Sequence, residues 1–270
     1  MGFWNTIEDS SDIFLISEEH SLTYTEFNSL VENFNRKFDD IKRSVCILLM
    51  DNSSYSVAAY ISCLQLKIIP LLINVDTPDN VINELIFNFK PSLLIQNNSI
   101  KFIDNYGIVD NNDLGLLLST SGSTGTSKYV ALSYASIQSN AESICNYLEL
   151  TKLDRAYCSM PLSYSYGLSI INSHINKKAS VVLTNISPFD SEFIGYFERN
   201  KCTNISGVPF LHEVLLRTGF YKNNYSSLRF ITQAGGYLKE RFKKKILEYS
   251  NNNDLKFYVM YGQTEATARI

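Results

Sequence analysis

The chain has 270 residues, of which 45% are hydrophobic, and it carries a formal net charge of -3. This length can bury a sizeable core in one large domain or in two subdomains in close contact. The charge excludes a broadly basic surface for nucleic acid, no apolar run is long enough to cross a membrane, and the first residues lack the apolar segment of a secretory signal. We therefore expect a cytoplasmic protein.

The five cysteines are widely spaced, and none of them forms a C-x-x-C pair. The three histidines also lack the spacing of zinc ligands. This pattern predicts reduced thiols, most of them buried, and it argues against a zinc site.

Short apolar runs alternate with segments of helical spacing along the whole chain. In the first part, a strand at 21–27 precedes a helix at 27–38 that Thr25 would cap. The next strands are predicted at 44–50, 68–73 and 92–95, with helices at 53–66 and from Thr77 onward. This β-α-β-α-β order predicts an α/β fold in which helices cover a mostly parallel sheet.

The same alternation continues to the last residues. Ser133 would cap a helix at 134–148. The later predicted strands are 179–183, 204–208, 228–232 and 255–260, and the later predicted helices are 190–199, 209–217 and 238–249.

The most informative segment is 118–128, which follows the apolar run 114–118 directly. It combines serines and threonines with Gly122 and Gly125 and closes with Lys128. Glycines let successive backbone N–H groups approach an anion, and the lysine adds positive charge, so the segment suits a triphosphate. A flexible Gly/Ser linker is the alternative, although linkers rarely follow a buried strand and end in a lysine.

Two common phosphate motifs do not match this segment. A Walker A loop needs G-K-[ST], but Thr126 and Ser127 separate Gly125 from Lys128, and Tyr129 follows the lysine. The dinucleotide fingerprint G-x-G-x-x-G fails because there is no third glycine. A P-loop kinase is therefore not favoured.

The segment instead closely resembles the phosphate loop of the adenylate-forming superfamily, T-S-G-[ST]-T-G-x-P-K, with Ser127 in place of the proline. That superfamily includes acyl-CoA synthetases and the adenylation domains of peptide synthetases. The resemblance implies two α/β subdomains, 1–110 and 111–270, the second carrying the nucleotide site. The nucleotide-binding residues that it implies here are Thr120, Ser121, Gly122, Ser123, Thr124, Gly125 and Lys128.

A second motif, Tyr261-Gly262-Gln263-Thr264-Glu265, follows the last predicted strand. Open α/β sheets place ligands at the carboxyl ends of their strands, but an ordinary polar loop would be equally consistent with this motif alone. The family has Y-G-x-T-E in this order. The resemblance implies that Thr264 binds the α-phosphate, that Glu265 coordinates Mg²⁺ and that Tyr261 lies against the adenine, with Gly262 and Gln263 also contacting the nucleotide.

Two glycines follow the strand at 228–232. Gly235 and Gly236 leave room for a flat ring against bare backbone, although a tight strand-to-helix turn is the alternative. The family's G-G-x-x-L element lines the adenine pocket. The resemblance therefore assigns Gly235, Gly236 and Tyr237 to that pocket.

The segment 160–168 is similar to the family's P-L-x-H-x-x-G element beside the acyl pocket, with Tyr164 at the histidine position. This resemblance implies that Tyr164, Tyr166 and Gly167 contact the acid, and that Val208 and Pro209 border it. Core aromatic residues and an ordinary helix start are the alternatives. The segment lacks the aspartate that usually pairs with an α-amino group, which favours a simple carboxylic acid, although an amino-acid adenylation domain remains an alternative.

The family reaction implies an AMP-forming ligase that uses ATP and Mg²⁺. A carboxylate attacks the α-phosphorus, pyrophosphate leaves, and the acyl group usually passes to CoA or to the phosphopantetheine of an acyl-carrier protein. Thr264, Glu265 and Lys128 would be the catalytic residues of this chain. They would act by positioning and charge stabilisation.

Family members continue well beyond Y-G-x-T-E into a small C-terminal domain that supplies a lysine essential for adenylation. We therefore expect that the 270 residues are part of a larger enzyme, a shortened paralogue or one half of a split enzyme. The expected property of this chain alone is nucleotide binding with poor adenylation. A nucleotide-binding or interaction module without catalytic activity is the alternative.

Overall fold

The computed structural model describes residues 2–96, 98–120 and 128–269. Its strands and helices alternate along most of the chain. The strands are β1 (Ile13–Ile16), β2 (Ser21–Thr23), β3 (Val45–Met50), β4 (Ile69–Asn74), β5 (Leu93–Gln96), β6 (Ser99–Phe102), β7 (Leu114–Ser119), β8 (Tyr129–Ser133), β9 (Arg155–Cys158), β10 (Ser180–Leu183), β11 (Asn204–Gly207), β12 (Phe230–Gln233) and β13 (Lys256–Val259). The α-helices are α1 (Tyr24–Phe38), α2 (Ser54–Gln65), α3 (Asp79–Phe89), α4 (Tyr134–Tyr147), α5 (Ser165–Asn176), α6 (Phe193–Arg199), α7 (Pro209–Arg217) and α8 (Glu240–Asn252).

These strands form two sheets. The six-stranded sheet has the order β6-β5-β3-β4-β7-β8, in which β6 and β8 are antiparallel edge strands. The seven-stranded sheet has the order β13-β12-β11-β9-β10-β1-β2, in which only β2 runs antiparallel among the described strands. The predicted α/β fold with mostly parallel sheets is confirmed.

The two sheets do not follow chain order throughout. The predicted boundary near residue 110 lies between β6 and β7, which belong to the same sheet, whereas β1 and β2 join the other sheet. The division into subdomains 1–110 and 111–270 stays a prediction.

Strands that are buried on both faces were the easiest to predict. All six residues of β3 are buried, and so are all four of β11 and of β12. The sequence did not predict β1, β6, β8, β9 or α5. Apart from α5 these elements are strands of four or five residues, and in β6, β8 and β9 polar or charged residues interrupt the apolar run.

The first helix begins earlier than predicted, at Tyr24. Its N-cap is Thr23 and not the predicted Thr25: the Thr23 hydroxyl accepts a hydrogen bond from the Glu26 N–H at 3.2 Å, and the Glu26 carboxylate accepts one from the Thr23 N–H at 2.8 Å. This capping box satisfies two N–H groups that the helix cannot bond internally. The hydroxyl of Thr25 instead donates to the Ser10 carbonyl.

Thr23→Ala should therefore lower the free energy of unfolding by about 1 kcal/mol, because it removes the N-cap hydrogen bond. Thr25→Ala is the matched control and should cost clearly less, since Thr25 makes only an exposed hydrogen bond to a carbonyl. Urea unfolding of the two variants measures the difference. Equal losses would show that Thr23 is not the effective cap.

A buried carboxylate joins the amino ends of three strands in the seven-stranded sheet. Asp154, just before β9, accepts hydrogen bonds from the Thr151 N–H at 2.8 Å and the Thr203 hydroxyl at 2.9 Å, and it pairs with Arg229 at 2.5 Å. Thr203 precedes β11 and Arg229 precedes β12. Burial raises the pKa of Asp154, but these hydrogen bonds and the arginine outweigh burial and hold the pKa below its ordinary value.

Asp154→Asn should destabilise the protein by about 2 kcal/mol, below the cost of breaking a fully buried pair because Arg229 is partly exposed. Because the pKa is lower in the folded state, the ionised carboxyl stabilises the fold at pH values above its pKa in the unfolded chain, near 4. This contribution is lost as the pH falls further. The asparagine variant should therefore lose less stability below about pH 4 than the wild type. Asp104→Asn, at an exposed loop position, should change neither quantity, and an unchanged acid limb in Asp154→Asn would contradict the assignment.

Candidate functional site

Three adjacent parallel strands end at the same level. Gly207 of β11 pairs with Gln233 of β12, and Gln233 pairs with Val259 of β13. The segments that follow are those predicted to contact ligands: Val208–Pro209, 234–237 and 260–265. Because parallel strands carry their carboxyl ends to one edge, the fold brings these segments together where α/β sheets bind ligands.

The glycine pair after β12 lies against the segment after β11. Gly235 has a φ of 78°, a left-handed conformation that few residues other than glycine adopt. A Cβ on Gly235 would lie 3.2 Å from Val208, and one on Gly236 would lie 3.4 Å from Pro209. Tyr237 is 79% exposed beside them. The bare backbone and the exposed ring leave a surface open to a flat ligand.

The Tyr261–Glu265 motif forms a closed turn after β13. The Gln263 N–H donates to the Ala268 carbonyl at 3.1 Å, and a 3₁₀ turn spans Thr264–Ala266. The Glu265 carboxylate and the Tyr261 ring are exposed. Gly262 lies so close to the returning chain that an added Cβ would be 2.5 Å from the Ala268 oxygen. This turn holds Thr264 and Glu265 at the edge where the neighbouring strands end.

Gly262→Ala should lower the free energy of unfolding by about 1–3 kcal/mol, because the turn cannot admit a methyl group without moving. Gly195→Ala is the matched control: Gly195 lies in α6, and its added Cβ would meet only the Arg199 side chain at 3.5 Å. That control should stabilise by about 0.5–1 kcal/mol through helix propensity. Opposite signs in chemical denaturation are the expected result, and a neutral Gly262→Ala would contradict the close approach.

The predicted phosphate segment is described only at its ends. Ser121, Gly122, Ser123, Thr124 and Gly125 lie outside the described residues. The Thr120 N–H and hydroxyl both donate to the Lys128 carbonyl, at 2.9 and 3.3 Å, and these bonds extend the β7–β8 hairpin. The Lys128 side chain is exposed, and β8 lies beside the Thr264–Ala266 turn. The ends of the segment are therefore near the second motif.

The predicted acid contacts lie at the start of α5. Tyr164 is 47% exposed and precedes the helix. The hydroxyl of Tyr166 shares a hydrogen bond of 2.9 Å with the Thr232 hydroxyl of β12, so this ring crosses to the sheet. An added Cβ on Gly167 would lie 2.4 Å from the Pro161 oxygen, which explains the glycine at this close packing.

An apolar cavity of about 290 Å³ lies beyond the carboxyl ends of β9, β10 and β11. Its lining includes Met160, Phe189, Val208, Phe210 and Leu211, in segments that follow β9, β10 and β11. Of this lining, the sequence analysis named only Val208 and, within the segment 160–168, Met160. The available signal was that apolar residues follow three strands which prove to be neighbours.

Glu265 is the residue predicted to bind Mg²⁺. Within residues 2–96, 98–120 and 128–269, no group of three or more His, Cys, Asp or Glu side chains could hold a metal ion. A single exposed carboxylate fits a magnesium ion that takes its other ligands from water and from substrate phosphates, as such ions usually do.

Among the described helices, none is long and apolar enough to cross a membrane.

Sequence reasoning also missed Arg269. Its side chain is buried, with 1% of the residue exposed, and its guanidinium lies 5.0 Å from the centre of the Tyr166 ring. The signal was an arginine directly after small residues that close the second motif.

The model of the AMP-binding enzyme family matches residues 104–270, more than half of the chain. The chain therefore belongs to this family of the adenylate-forming superfamily.

Individual proteins agree with this membership. Oxalate–CoA ligase from Saccharomyces cerevisiae is 30% identical over 189 residues, which are 67% of this chain and 33% of that protein. Acyl-CoA ligase sidI from Aspergillus fumigatus is 29% identical over 150 residues, 55% of this chain and 25% of that protein. The chain thus spans a quarter to a third of these curated relatives.

Solved structures share the fold. O-succinylbenzoate CoA synthetase (MenE) from Bacillus subtilis, in complex with its acyl-adenylate intermediate, superposes with a TM-score of 0.81 at 21% identity. The match covers 100% of this chain and 60% of MenE.

Proposed function

We propose that this chain is the ATP-binding part of an enzyme that activates a carboxylic acid as its acyl-adenylate and releases pyrophosphate. The observation that carries the proposal is the common edge of β11, β12 and β13, where the glycine pair and the Tyr261–Glu265 turn lie side by side. The lysine-bearing end of the phosphate segment comes to the same place through β8.

In this proposal each part of the edge has one task. The glycine pair and the exposed rings of Tyr237 and Tyr261 hold the adenine. The segment Thr120–Lys128 and the Thr264 hydroxyl hold the phosphates, and Glu265 binds the magnesium ion. A magnesium ion held there would stabilise the negative charge on the α-phosphate oxygens and on the departing pyrophosphate.

The acid would lie between α5 and the sheet, where Tyr166 already reaches Thr232. Its acyl group would then pass to a thiol, either that of CoA or that of a carrier-protein phosphopantetheine. The CoA ligases among the relatives support the first acceptor. A small C-terminal domain, in the same chain or in a separate one, would complete adenylation.

Glu265→Gln should weaken ATP binding at least tenfold in the presence of Mg²⁺ and change it little in EDTA, because an amide is a poorer magnesium ligand than a carboxylate. Calorimetric titration of the 270-residue chain with ATP measures both affinities. Glu248→Gln, at an exposed position on α8, is the matched control and should change neither. Equal weakening with and without Mg²⁺ would contradict the metal role of Glu265.

Product analysis separates the remaining functions. With the complete enzyme and an acid substrate, adenylation releases AMP and pyrophosphate, whereas γ-phosphate transfer would release ADP. A chain that binds no ATP at all would instead be a module without nucleotide function. Robust pyrophosphate exchange by this chain alone would contradict the expectation that it adenylates poorly.

A further inference from the structure

Arg269 lies on the face of the seven-stranded sheet that α5 covers. Its Nη1 donates two long hydrogen bonds, each 3.4 Å, to the hydroxyls of Ser206 and Thr232. Its guanidinium also lies over the Tyr166 ring at 5.0 Å. Hydrogen bonds from N–H groups usually measure about 2.9 Å, so these contacts hold the cation only loosely.

The buried cation lacks an anionic partner. No acidic side chain among the described residues forms a salt bridge with Arg269, and its Nε is buried with no hydrogen-bond partner among them. Nearby His174 adds no second positive charge, because burial lowers its pKa to about 4 and leaves the ring neutral at pH 7. A buried charge without a partner is costly, so this position needs a function that offsets the cost.

The guanidinium lies just beneath the edge of the proposed site. Ser206 and Thr232 pair across β11 and β12, one residue before Gly207 and Gln233 end those strands. One residue of strand is about 3.3 Å, so the guanidinium contacts β11 and β12 roughly that far below their carboxyl ends. A short acid whose reacting carboxylate is at the edge would point its other end at Arg269, past Tyr166.

We propose that Arg269 binds a second acidic group of the acid substrate, so that the enzyme activates a short dicarboxylic acid. The inference rests on the proposed function for the position of the reacting carboxylate. A carboxylate beneath the edge would supply the missing partner of the guanidinium, accept a hydrogen bond from the free Nε and also reach the two hydroxyls. A monocarboxylic acid of equal length would leave the arginine unpaired.

The test compares acids that differ only in the second charge. Malonate, succinate and glutarate are each titrated against the corresponding monoamide, which keeps the length and shape, by calorimetry on the 270-residue chain. Each acid is titrated once into the chain alone and once into the chain with Mg²⁺ and α,β-methylene-ATP, an ATP analogue that cannot form an adenylate. The wild type should prefer the best diacid over its monoamide by about 10–100-fold, the range of a charge-assisted hydrogen bond.

Arg269→Met should reduce that preference to less than threefold, and Arg269→Lys should keep part of it. The methionine variant should fold, because removing an unpaired buried charge removes its desolvation cost, and thermal unfolding checks this. Arg217→Met, at an exposed position of α7, is the control and should leave the preference unchanged.

Three results would overturn the proposal. The wild type could bind diacid and monoamide equally, it could fail to bind either, or an Arg269→Met variant could fold and keep the preference. Failure of the proposed function looks different. A chain that shows the diacid preference but binds no ATP analogue would overturn nucleotide binding and leave the role of Arg269 in place.

Discussion

The site depends on the parallel pairing of β11, β12 and β13 in one register. Side chains alternate between the faces of a strand, so a shift by one residue would exchange Ser206 and Thr232 with Gly207 and Gln233. The hydroxyls would then leave the face covered by α5, and the glycine pair would lose its contact with Val208. The register of these strands therefore places both the segments of the proposed nucleotide site and the side chains of Ser206 and Thr232 beneath them.

That register is reinforced at the opposite end of the strands. Asp154 fixes the amino ends of β9, β11 and β12 through Thr203 and Arg229. The carboxyl ends, in contrast, carry exposed glycines, rings and the Glu265 carboxylate. The paired and hydrogen-bonded carboxylate of Asp154 thus lies at the end of the sheet away from the proposed site. The groups at the proposed site make few or long hydrogen bonds. This division is expected where ligand contacts must form and break while the scaffold stays rigid.

The α/β fold could be predicted from sequence because several buried parallel strands are short continuous apolar runs, as in β3. The cap of α1 was misplaced by two residues, since Thr23 and Thr25 are equally good caps locally and only the partner, Glu26, selects between them. Motif residues such as Gly235 and Thr264 could be chosen by resemblance. Their proximity to Val208 could not, because strand order is set by packing between segments far apart in the chain.

Arg269 shows a second limit of sequence reasoning. An arginine at the end of a polar turn is ordinarily exposed, and the small residues before this one do not by themselves predict its burial. Its burial follows from the Gly262 turn, which folds the chain back so closely that residue 269 is directed beneath the strand ends. The same turn therefore holds Glu265 in solvent at the edge and Arg269 in the interior below it. In the proposed complex, negative charge is therefore needed at each level: the phosphates of ATP with magnesium above, and the second acidic group of the acid substrate beneath.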